Sequence, residues 1–375
     1  MPGDDLLAVC TVPPWPATNG YALRVSNLLE ELLASWRITL LSPTGPVAAG
    51  IAEHRALELD GPGVTYPWRF DQTRLRHAAL DLARTRRFDR ALVWPGAEAL
   101  WFGSSGLPPA VMDMIDCNPL EFAREALAPG ASPRARLSRL RELAIAAVFA
   151  RRTVRSFAST VCVGEQDAAW MRRIGGRDTV HVVPNGVAAP NRVPPTDARP
   201  TAIFTGTLDY APNVDAALYL ASSVWPLIRR AAPDAILILA GRHPVSAVAE
   251  LHGRDGVQVA ADVPDMADVL GRAWVAMAPM RIGVGIKNKV LEAWACARPV
   301  VMTELATNGL TLPPGHEGLV GRGADGLARA VVELLQDEAK RRRLGEAASA
   351  HARLQYSWRA AAARMDVLLC NTPPS

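Results

Sequence analysis

PMRIGVGIKNKVLEAWACARPVVMT, residues 279–303, is the most informative segment of this chain for its fold. It continues the apolar run 275–278 and predicts, in order, the end of a strand, a glycine-containing loop, a helix and a further strand. Gly283 and Gly285 allow the loop backbone to approach a ligand closely. This order of elements is typical of a parallel sheet with helical crossovers, and it places the loop at the carboxyl edge of that sheet.

The charged residues of this stretch suit a nucleotide. Backbone amides at the start of the helix, together with the helix dipole, form an anion site. Lys287 and Lys289 add cationic donors that suit phosphate, and they are two of only three lysines among the 41 basic residues. Glu292, about one turn into the helix, can accept hydrogen bonds from the vicinal hydroxyls of a ribose. The alternative is a solvated turn before an amphipathic helix, with Glu292 on the surface.

Both halves of the chain alternate short apolar runs with helical patterns. Runs this short and continuous are typical of strands that are buried on both faces of a parallel sheet. The strand candidates are 6–12, 38–41, 91–94, 111–115 and 160–163 in the first half, and 202–205, 235–240, 257–260, 275–278, 300–303 and 318–320 in the second. The pattern predicts an α/β protein of two doubly wound, Rossmann-like parallel-sheet domains that face a cleft.

A linker separates the two predicted domains. Residues 188–200 contain four prolines and no hydrophobic periodicity. At roughly 150 residues per domain, a chain of 375 residues has room for two. We therefore predict an N-terminal domain over 1–183, a linker over 184–200, a C-terminal domain over 201–355 and a last helix within 356–375.

Composition excludes several classes of protein. Hydrophobic residues make up 49% and charged residues 21% of the chain, which excludes a mostly disordered protein. The net charge of +4 is too small to indicate nucleic-acid binding. The sequence has no run of about 18 apolar residues, and its acidic start and short run 6–12 do not fit a signal peptide. With five cysteines that form neither a C-x-x-C motif nor a disulfide framework, these features predict a cytoplasmic protein.

The segment 287–301, Lys-x-Lys-Val-Leu-Glu-Ala-x-Ala-x-x-x-Pro-Val-Val, resembles the donor-binding signature of GT-B glycosyltransferases of family 4. Four further segments are similar to that family in the same order along the chain. They are 13–32 (its first loop and helix), 183–187 (the join between its domains), 204–213 (the first strand and turn of its donor domain) and 356–358 (the entry to its last helix). Five ordered matches are far more specific than any one of them.

The resemblance implies a GT-B fold in which the last helix returns to the N-terminal domain. It implies transfer of a sugar from a nucleotide diphosphate-sugar to a saccharide, a lipid-linked sugar or a small metabolite, with retention of anomeric configuration. It also implies that neither a metal ion nor a further cofactor takes part, since Lys, Arg and helix amides can neutralise a leaving diphosphate. The donor-binding residues that it implies are Gly20, Arg24, Gly206, Arg281, Gly285, Ile286, Lys287, Lys289 and Glu292.

The sequence departs from the family pattern at two places. The family often has a second glutamate, eight residues before the one at the helix start and near the hydroxyls of the donor sugar, where this chain has Val284. The basic pair that usually follows the first strand of the donor domain is not evident in 206–213. These departures leave the identity of the sugar open, and the helix start at 212–215 can still offer backbone amides to an anion.

Asp113 and Asp116 lie at the end of the strand candidate 111–115, at the edge of the predicted cleft. A carboxylate there could orient or deprotonate an acceptor hydroxyl. Transferases of the branch that this chain resembles carry an acid at this place, which makes Asp116 the candidate catalytic residue on the acceptor side. The alternative is that these acids cap the following helix.

A basic helix is predicted in the first half. The stretch from Arg134 to Arg155 contains seven arginines and one acid, Glu142. A basic helix can dock on anionic lipid, which predicts peripheral contact with the inner face of a membrane. The alternative is a solvated helix with an ordinary amphipathic face.

Two other functions fit the same architecture. One is a nucleotide-sugar epimerase, although the cleft acids and histidines on which such enzymes rely cannot be placed in this sequence. The other is a non-catalytic partner subunit that kept the fold, for which Val284 is the only indication.

Overall fold

The computed structural model describes residues 4–17, 19–58, 73–94, 104–115, 117–127, 132–190, 192–283 and 285–373. It divides the chain into two units, which we call unit 1 (Met1–Asn185 with Trp358–Ser375) and unit 2 (Gly186–Ser357). The last segment of the chain therefore belongs to unit 1.

The described part of the unit 1 sheet is parallel throughout. Its strands are β1 (Asp4–Cys10), β2 (Trp36–Pro43), β3 (Glu53–Leu57), β4 (Arg90–Trp94), β5 (Ala110–Ile115), β6 (Ser159–Cys162) and β7 (Val180–Val182). They lie in the order β3-β2-β1-β4-β5-β6-β7. The run 6–10 of β1 has no exposed surface, as expected for a strand covered on both faces.

Helices alternate with these strands. They are α1 (Gly20–Leu32), α2 (Thr73–Thr85), α3 (Asn118–Ala126), α4 (Pro133–Ser156) and α5 (Glu165–Gly175). The start of α1 is set by Asn19, whose Oδ1 accepts a hydrogen bond from the Ala22 amide at 2.9 Å. Val25, Leu28, Leu29 and Leu32 follow at helical spacing and are buried, so α1 turns its apolar face to the core.

Unit 2 has a smaller sheet, which is also parallel in its described part. Its strands are β8 (Thr201–Thr205), β9 (Ile236–Gly241), β10 (Val257–Ala261), β11 (Val275–Ala278) and β12 (Val300–Met302). They lie in the order β10-β9-β8-β11-β12. The strand predicted at 318–320 is wrong, because Glu317–Leu319 forms a 3-10 helix and Val320 makes only an isolated bridge to Met302 in the described residues.

The helices of unit 2 begin with the one predicted near Pro212. They are α6 (Ala211–Tyr219), α7 (Trp225–Ala231), α8 (Ser246–Ala249), α9 (Met266–Arg272), α10 (Asn288–Ala295), α11 (Gly323–Gln336) and α12 (Glu338–Gln355), with a π-helical segment, Leu220–Val224, joining α6 to α7. A 3-10 helix, Glu304–Thr307, follows β12. Strand and helix alternate here as they do in unit 1.

The last helix, α13 (Trp358–Asn371), completes the core of unit 1. Trp358, Met365 and Leu369 are buried in the cluster that also contains the apolar residues of α1, β1 and β2. Trp36 Nε1 donates a hydrogen bond to Asp366 Oδ1 at 2.6 Å, which fixes the helix against the start of β2.

The strand order reverses at one place in each sheet. In unit 1 this place lies between β1 and β4, and in unit 2 it lies between β8 and β11. Such a switch point leaves a crevice at the carboxyl ends of the two strands, where α/β proteins bind ligands. Both units are doubly wound α/β structures, as the sequence predicts. None of the described helices is long and apolar enough to cross a membrane.

Candidate functional site

Beside the switch point of unit 2, the loop after β8 lies against the end of β9. Gly206 follows β8, and its amide donates to the Ala240 carbonyl at 3.0 Å. Its own carbonyl oxygen lies only 1.7 Å from the position that a Cβ atom on Gly241 would take. The loop after β8 can therefore lie this close to β9 only because position 241 is a glycine.

Lys289 is the positive group at this point. Its ammonium donates to Asn213 Oδ1 at 2.6 Å and lies 4.1 Å from the centre of the Phe204 ring. The Asn213 amide in turn donates from Nδ2 to the Thr207 carbonyl at 2.9 Å. A Cβ atom on Gly206 would lie 2.8 Å from Asn213 Nδ2 and 3.0 Å from the Lys289 ammonium. A glycine at 206 therefore leaves room for both groups.

Burial lowers the pKa of Lys289 to about 7, while the negative charge of Glu292 opposes this shift and the positive charge of Lys287 adds to it. No carboxylate forms an ion pair with the Lys289 ammonium in the part of the chain that the structure describes. The site therefore holds a partly buried amine whose positive charge is not neutralised by direct contact.

The glycine turn after β11 positions the second lysine. Gly283 and Gly285 have positive φ angles of 108° and 69°, a conformation that glycine adopts without strain. The Lys287 ammonium donates to the Gly285 carbonyl at 3.0 Å, and the side chain is 8% exposed. Ile286 is also buried. The turn thus carries Lys287 inward immediately before α10 begins at Asn288.

Glu292 lies one turn beyond Lys289 on α10 and is partly buried. Burial raises its pKa, and the charge of Lys289 opposes the rise. Glu292 also lines a cavity of about 890 Å³ in unit 2. The rest of its lining comes from ten residues between 187 and 198, from residues along α9 and from the C-terminal end of α10. A carboxylate in the wall of a cavity can accept hydrogen bonds from paired hydroxyl groups.

Arg281 meets α6 rather than an open crevice. Its Nε donates to Asp215 Oδ2 at 3.0 Å, and its guanidinium lies 4.4 Å from the centre of the Tyr219 ring. The hydrogen bond to Asp215 raises the pKa of Arg281. The side chain is 49% exposed, so one edge of the guanidinium remains open to solvent.

Two predicted donor residues belong to unit 1. Gly20 is the exposed first residue of α1. Arg24 has no exposed surface, and its guanidinium donates to both carboxylate oxygens of Asp113, at 2.8 Å and 3.2 Å, and to Asn185 Oδ1 at 2.9 Å. Asp113 also accepts from Trp94 Nε1 at 2.8 Å. These contacts give Arg24 and Asp113 a role in holding the carboxyl edge of the unit 1 sheet, and donor contact by Arg24 remains a prediction.

Sequence reasoning missed two residues of the site, Asn213 and Gly241. Asn213 lies in the segment that resembles the donor domain, but only the fold shows that it holds Lys289. Gly241 follows a strand like many other glycines, and only the 1.7 Å approach of Gly206 shows why it is needed. Asp116 and Val284 lie outside the described residues. Among the residues that are described, no group of three His, Cys, Asp or Glu side chains could hold a metal ion.

Comparison with known proteins gives both a family match and a fold. Residues 199–337 match the family described as glycosyl transferases group 1. No curated protein sequence matches the chain.

Several solved structures share the fold over nearly the whole chain. Anabaena Alr3699/HepE, in complex with UDP and glucose, has a TM-score of 0.66 at 14% identity and covers 98% of this chain and 99% of its own. WaaG, a glycosyltransferase involved in lipopolysaccharide biosynthesis, has a TM-score of 0.67 at 13% identity, with 96% and 99% covered. A UDP-forming α,α-trehalose-phosphate synthase from Burkholderia xenovorans has a TM-score of 0.66 at 13% identity, with 98% and 99% covered.

At these identities the solved structures show the fold, which resembles that of GT-B glycosyltransferases. The family match covers most of unit 2 and includes Gly206, Asn213, Lys289 and Glu292. Residues 199–337 thus resemble the glycosyl transferases group 1 family, and the chain as a whole has a fold that glycosyltransferases also have.

Proposed function

We propose that this protein is a glycosyltransferase of the family 4 type, which moves a sugar from a nucleotide diphosphate-sugar to an acceptor hydroxyl. We propose further that the transfer retains the anomeric configuration and needs no metal ion. The observation that carries the proposal is the placement of Lys289 at the switch point of unit 2, with Glu292 one helical turn further along α10.

The diphosphate fits the lysine end of this site. Lys289 is a partly buried cation without a carboxylate in direct contact among the described residues, and the amides at the start of α10 and α6 lie at the same edge of the sheet. An amine and helix amides together bind anionic oxygens and stabilise the charge that develops on a leaving diphosphate. The role of these groups is therefore to bind the donor and to stabilise its leaving group.

The nucleoside fits the glutamate end. Glu292 would accept hydrogen bonds from the ribose hydroxyls, and the cavity of about 890 Å³ beside it would take the base. Pockets for small ligands span roughly 300–1,000 Å³, so the volume is sufficient. Lys289 and Glu292 are about one helical turn apart on α10. This spacing suits a nucleoside diphosphate whose phosphates bind Lys289 and whose ribose binds Glu292.

The test is incubation of the protein with UDP-, GDP-, ADP- and dTDP-sugars, with and without an acceptor panel of saccharides, lipid-linked sugars and small metabolites. UDP-glucose comes first, because the Anabaena HepE structures hold UDP and glucose. Acceptor-dependent release of nucleoside diphosphate, unchanged by EDTA, is the expected result, and proton NMR of the product should show retention. Isomerised donor would instead identify an epimerase. Binding without turnover against the whole panel would identify a partner subunit.

We also propose that α4 docks on an anionic membrane at the cytoplasmic face. Leu137, Leu140 and Val148 lie on one face of this helix and are 71%, 50% and 53% exposed. Exposed arginines lie beside this apolar stripe (Arg134, Arg141 and Arg152) or within it (Arg151). An exposed apolar face with basic flanks suits the headgroup region of an anionic bilayer. This surface favours a lipid-linked acceptor, and the five free cysteines agree with a reducing compartment.

Vesicle co-sedimentation tests the docking surface. We expect binding to vesicles of phosphatidylglycerol and phosphatidylcholine that weakens with added salt, and little binding to phosphatidylcholine alone. Replacing both Leu137 and Leu140 by Ser should abolish most of this binding. Leu354→Ser is the matched control, because Leu354 is 73% exposed on α12 of unit 2. Equal binding by the double variant and the wild type would contradict the proposal.

A further inference from the structure

α6 gives each of two neighbouring cations a different kind of partner. Arg281 meets a carboxylate, Asp215, whereas Lys289 meets the carboxamide of Asn213, two residues earlier on the same helix. The Arg281 pair is electrically neutral. The Lys289 pair keeps a full positive charge whenever the amine is protonated. The structure therefore distinguishes a neutralised cation from one whose charge remains available.

The Asn213 amide can sit in only one way. Its Nδ2 donates to the Thr207 carbonyl at 2.9 Å, so its oxygen must face the Lys289 ammonium, which it accepts at 2.6 Å. The residue is 7% exposed, and the lack of a side chain at Gly206 makes room for it. Asn213 is therefore a buried hydrogen-bond acceptor that is held in a fixed orientation toward the lysine, not a surface residue that happens to lie nearby.

We propose that Asn213 is a specificity-determining residue of the donor site, which holds Lys289 with a neutral oxygen and so keeps the positive charge of the lysine for a diphosphate. The inference rests on the proposed function. It assigns part of the preference for a nucleoside diphosphate over a nucleoside to a residue that itself carries no charge.

An aspartate at position 213 would have the same shape and the opposite consequence. It would hold Lys289 more firmly, because an ion pair with a hydrogen bond is stronger than a neutral contact. It would also cancel the charge of the lysine and place a negative charge beside the phosphates. If position 213 served only to orient the lysine, aspartate would work there at least as well as asparagine. If it serves to keep the charge of the lysine available, aspartate would work less well.

Isothermal titration calorimetry at pH 7 compares Asn213→Asp with wild type. The probes are the best-bound member of UDP, GDP, ADP and dTDP, and its parent nucleoside. We expect Asn213→Asp to weaken diphosphate binding at least tenfold and to change nucleoside binding less than twofold. Gln258→Glu is the matched control, because it makes the same amide-to-carboxylate change on an exposed residue of the edge strand β10, and it should bind both ligands as wild type does.

Asn213→Ala separates shape from charge. It removes the acceptor without adding a negative charge, so we expect it to weaken diphosphate binding less than Asn213→Asp does. Thermal unfolding confirms that each variant is folded before it is titrated. If Asn213→Asp binds diphosphate as tightly as wild type, or if both variants lose nucleoside binding equally, the inference fails while the proposed function stands. If the wild type binds none of the four diphosphates, the proposed function itself fails.

Discussion

Lys289 is a cation whose charge depends on what occupies its site. Burial and Lys287 lower its pKa and Glu292 raises it, with a result of about 7. Asn213 gives a hydrogen bond without a compensating charge, whereas Arg281, which also meets α6, is neutralised by Asp215. Near neutral pH about half of the free protein would therefore carry an uncharged amine at this position. A bound diphosphate would favour the charged form.

Binding of a nucleoside diphosphate should therefore be linked to proton uptake by Lys289. Below pH 7 the amine is already protonated and affinity is full. Above pH 7 the ligand must draw in a proton, so the dissociation constant should rise by up to about tenfold per pH unit between pH 7 and 9. Calorimetry in buffers of different ionisation enthalpy measures the uptake directly. In Lys289→Arg the guanidinium stays charged, and the rise should disappear. A wild-type affinity that does not change over this range would contradict the linkage.

Lys289 and Glu292 should also be separable by ligand. Lys289→Ala should weaken diphosphate binding by about 1–3 kcal/mol, the range for a hydrogen bond to a charged group, and leave nucleoside binding almost unchanged. Well below pH 7, where Lys289 is protonated, Glu292→Gln should weaken nucleoside and diphosphate to the same extent, because the ribose is common to both. Calorimetry with the two ligands distinguishes the roles. An effect of Glu292→Gln on the diphosphate alone would remove Glu292 from the ribose.

The sequence predicts the part of this site that is local. Lys289 and Glu292 lie on one helix and Lys287 immediately precedes it, so their spacing alone places the three residues together. Asn213 lies 76 residues before Lys289, and only the strand order, with β8 beside β11, shows that the two side chains meet. Arg24, a position suggested by resemblance, is a buried partner of Asp113, and its contact with the donor stays a prediction.

At the level of secondary-structure elements, the end of β9 packs against the loop that follows β8 and supports it. The carbonyl of Gly206 lies where a Cβ atom on Gly241 would be, at 1.7 Å, and its amide bonds to Ala240 at 3.0 Å. Leu208 continues the contact through its amide, which bonds to the Arg242 carbonyl at 2.7 Å. The end of β9 therefore determines where the loop after β8 can lie.

Gly241→Ala should displace this loop and with it the lysine. The added methyl group meets backbone atoms that cannot move independently, so we expect a loss of about 1–3 kcal/mol in the free energy of unfolding. Diphosphate affinity should fall severalfold, because a Cβ atom on Gly206 would meet Asn213 and Lys289, so a shift of this residue disturbs both groups. Gly318→Ala is the control, since a Cβ atom there meets nothing within 4 Å. Thermal melts and calorimetry measure the two effects, and normal affinity in a destabilised Gly241→Ala would disconnect β9 from the site.

The predicted elements are correct where burial makes the sequence continuously apolar. β1, β8 and β11 follow from their runs of apolar residues. β3 was missed because its residues are exposed or half-buried at the edge of the sheet, which leaves no apolar run to recognise. The predicted strand at 318–320 fails for a different reason. An apolar run of only three residues is too short to distinguish a strand from a 3-10 helix. In the structure, Glu317–Leu319 is a 3-10 helix, and Val320 forms an isolated bridge to Met302.

At the scale of the whole molecule, the two units share one plan and differ in how the chain completes them. Both sheets reverse their strand order beside their first strand. Unit 2 is a continuous segment, Gly186–Ser357, whereas unit 1 needs α13 from the far end of the chain. The core of unit 1 contains Trp358, Met365 and Leu369 of that helix. Stability of unit 1 and ligand binding by unit 2 should therefore respond to different substitutions.

Met365→Ala tests this separation. Met365 has no exposed surface, so its truncation should cost unit 1 about 2–5 kcal/mol of the free energy of unfolding. Hydrogen exchange of amides in β1 and α1 should become faster, while exchange in β8 and β11 and the affinity for nucleoside diphosphate should stay as in wild type. Val367→Ala, on the same helix and 58% exposed, should change neither quantity. Loss of diphosphate binding in Met365→Ala would mean that the donor site depends on the unit 1 core, because the substitution removes no group that could contact the ligand in unit 2.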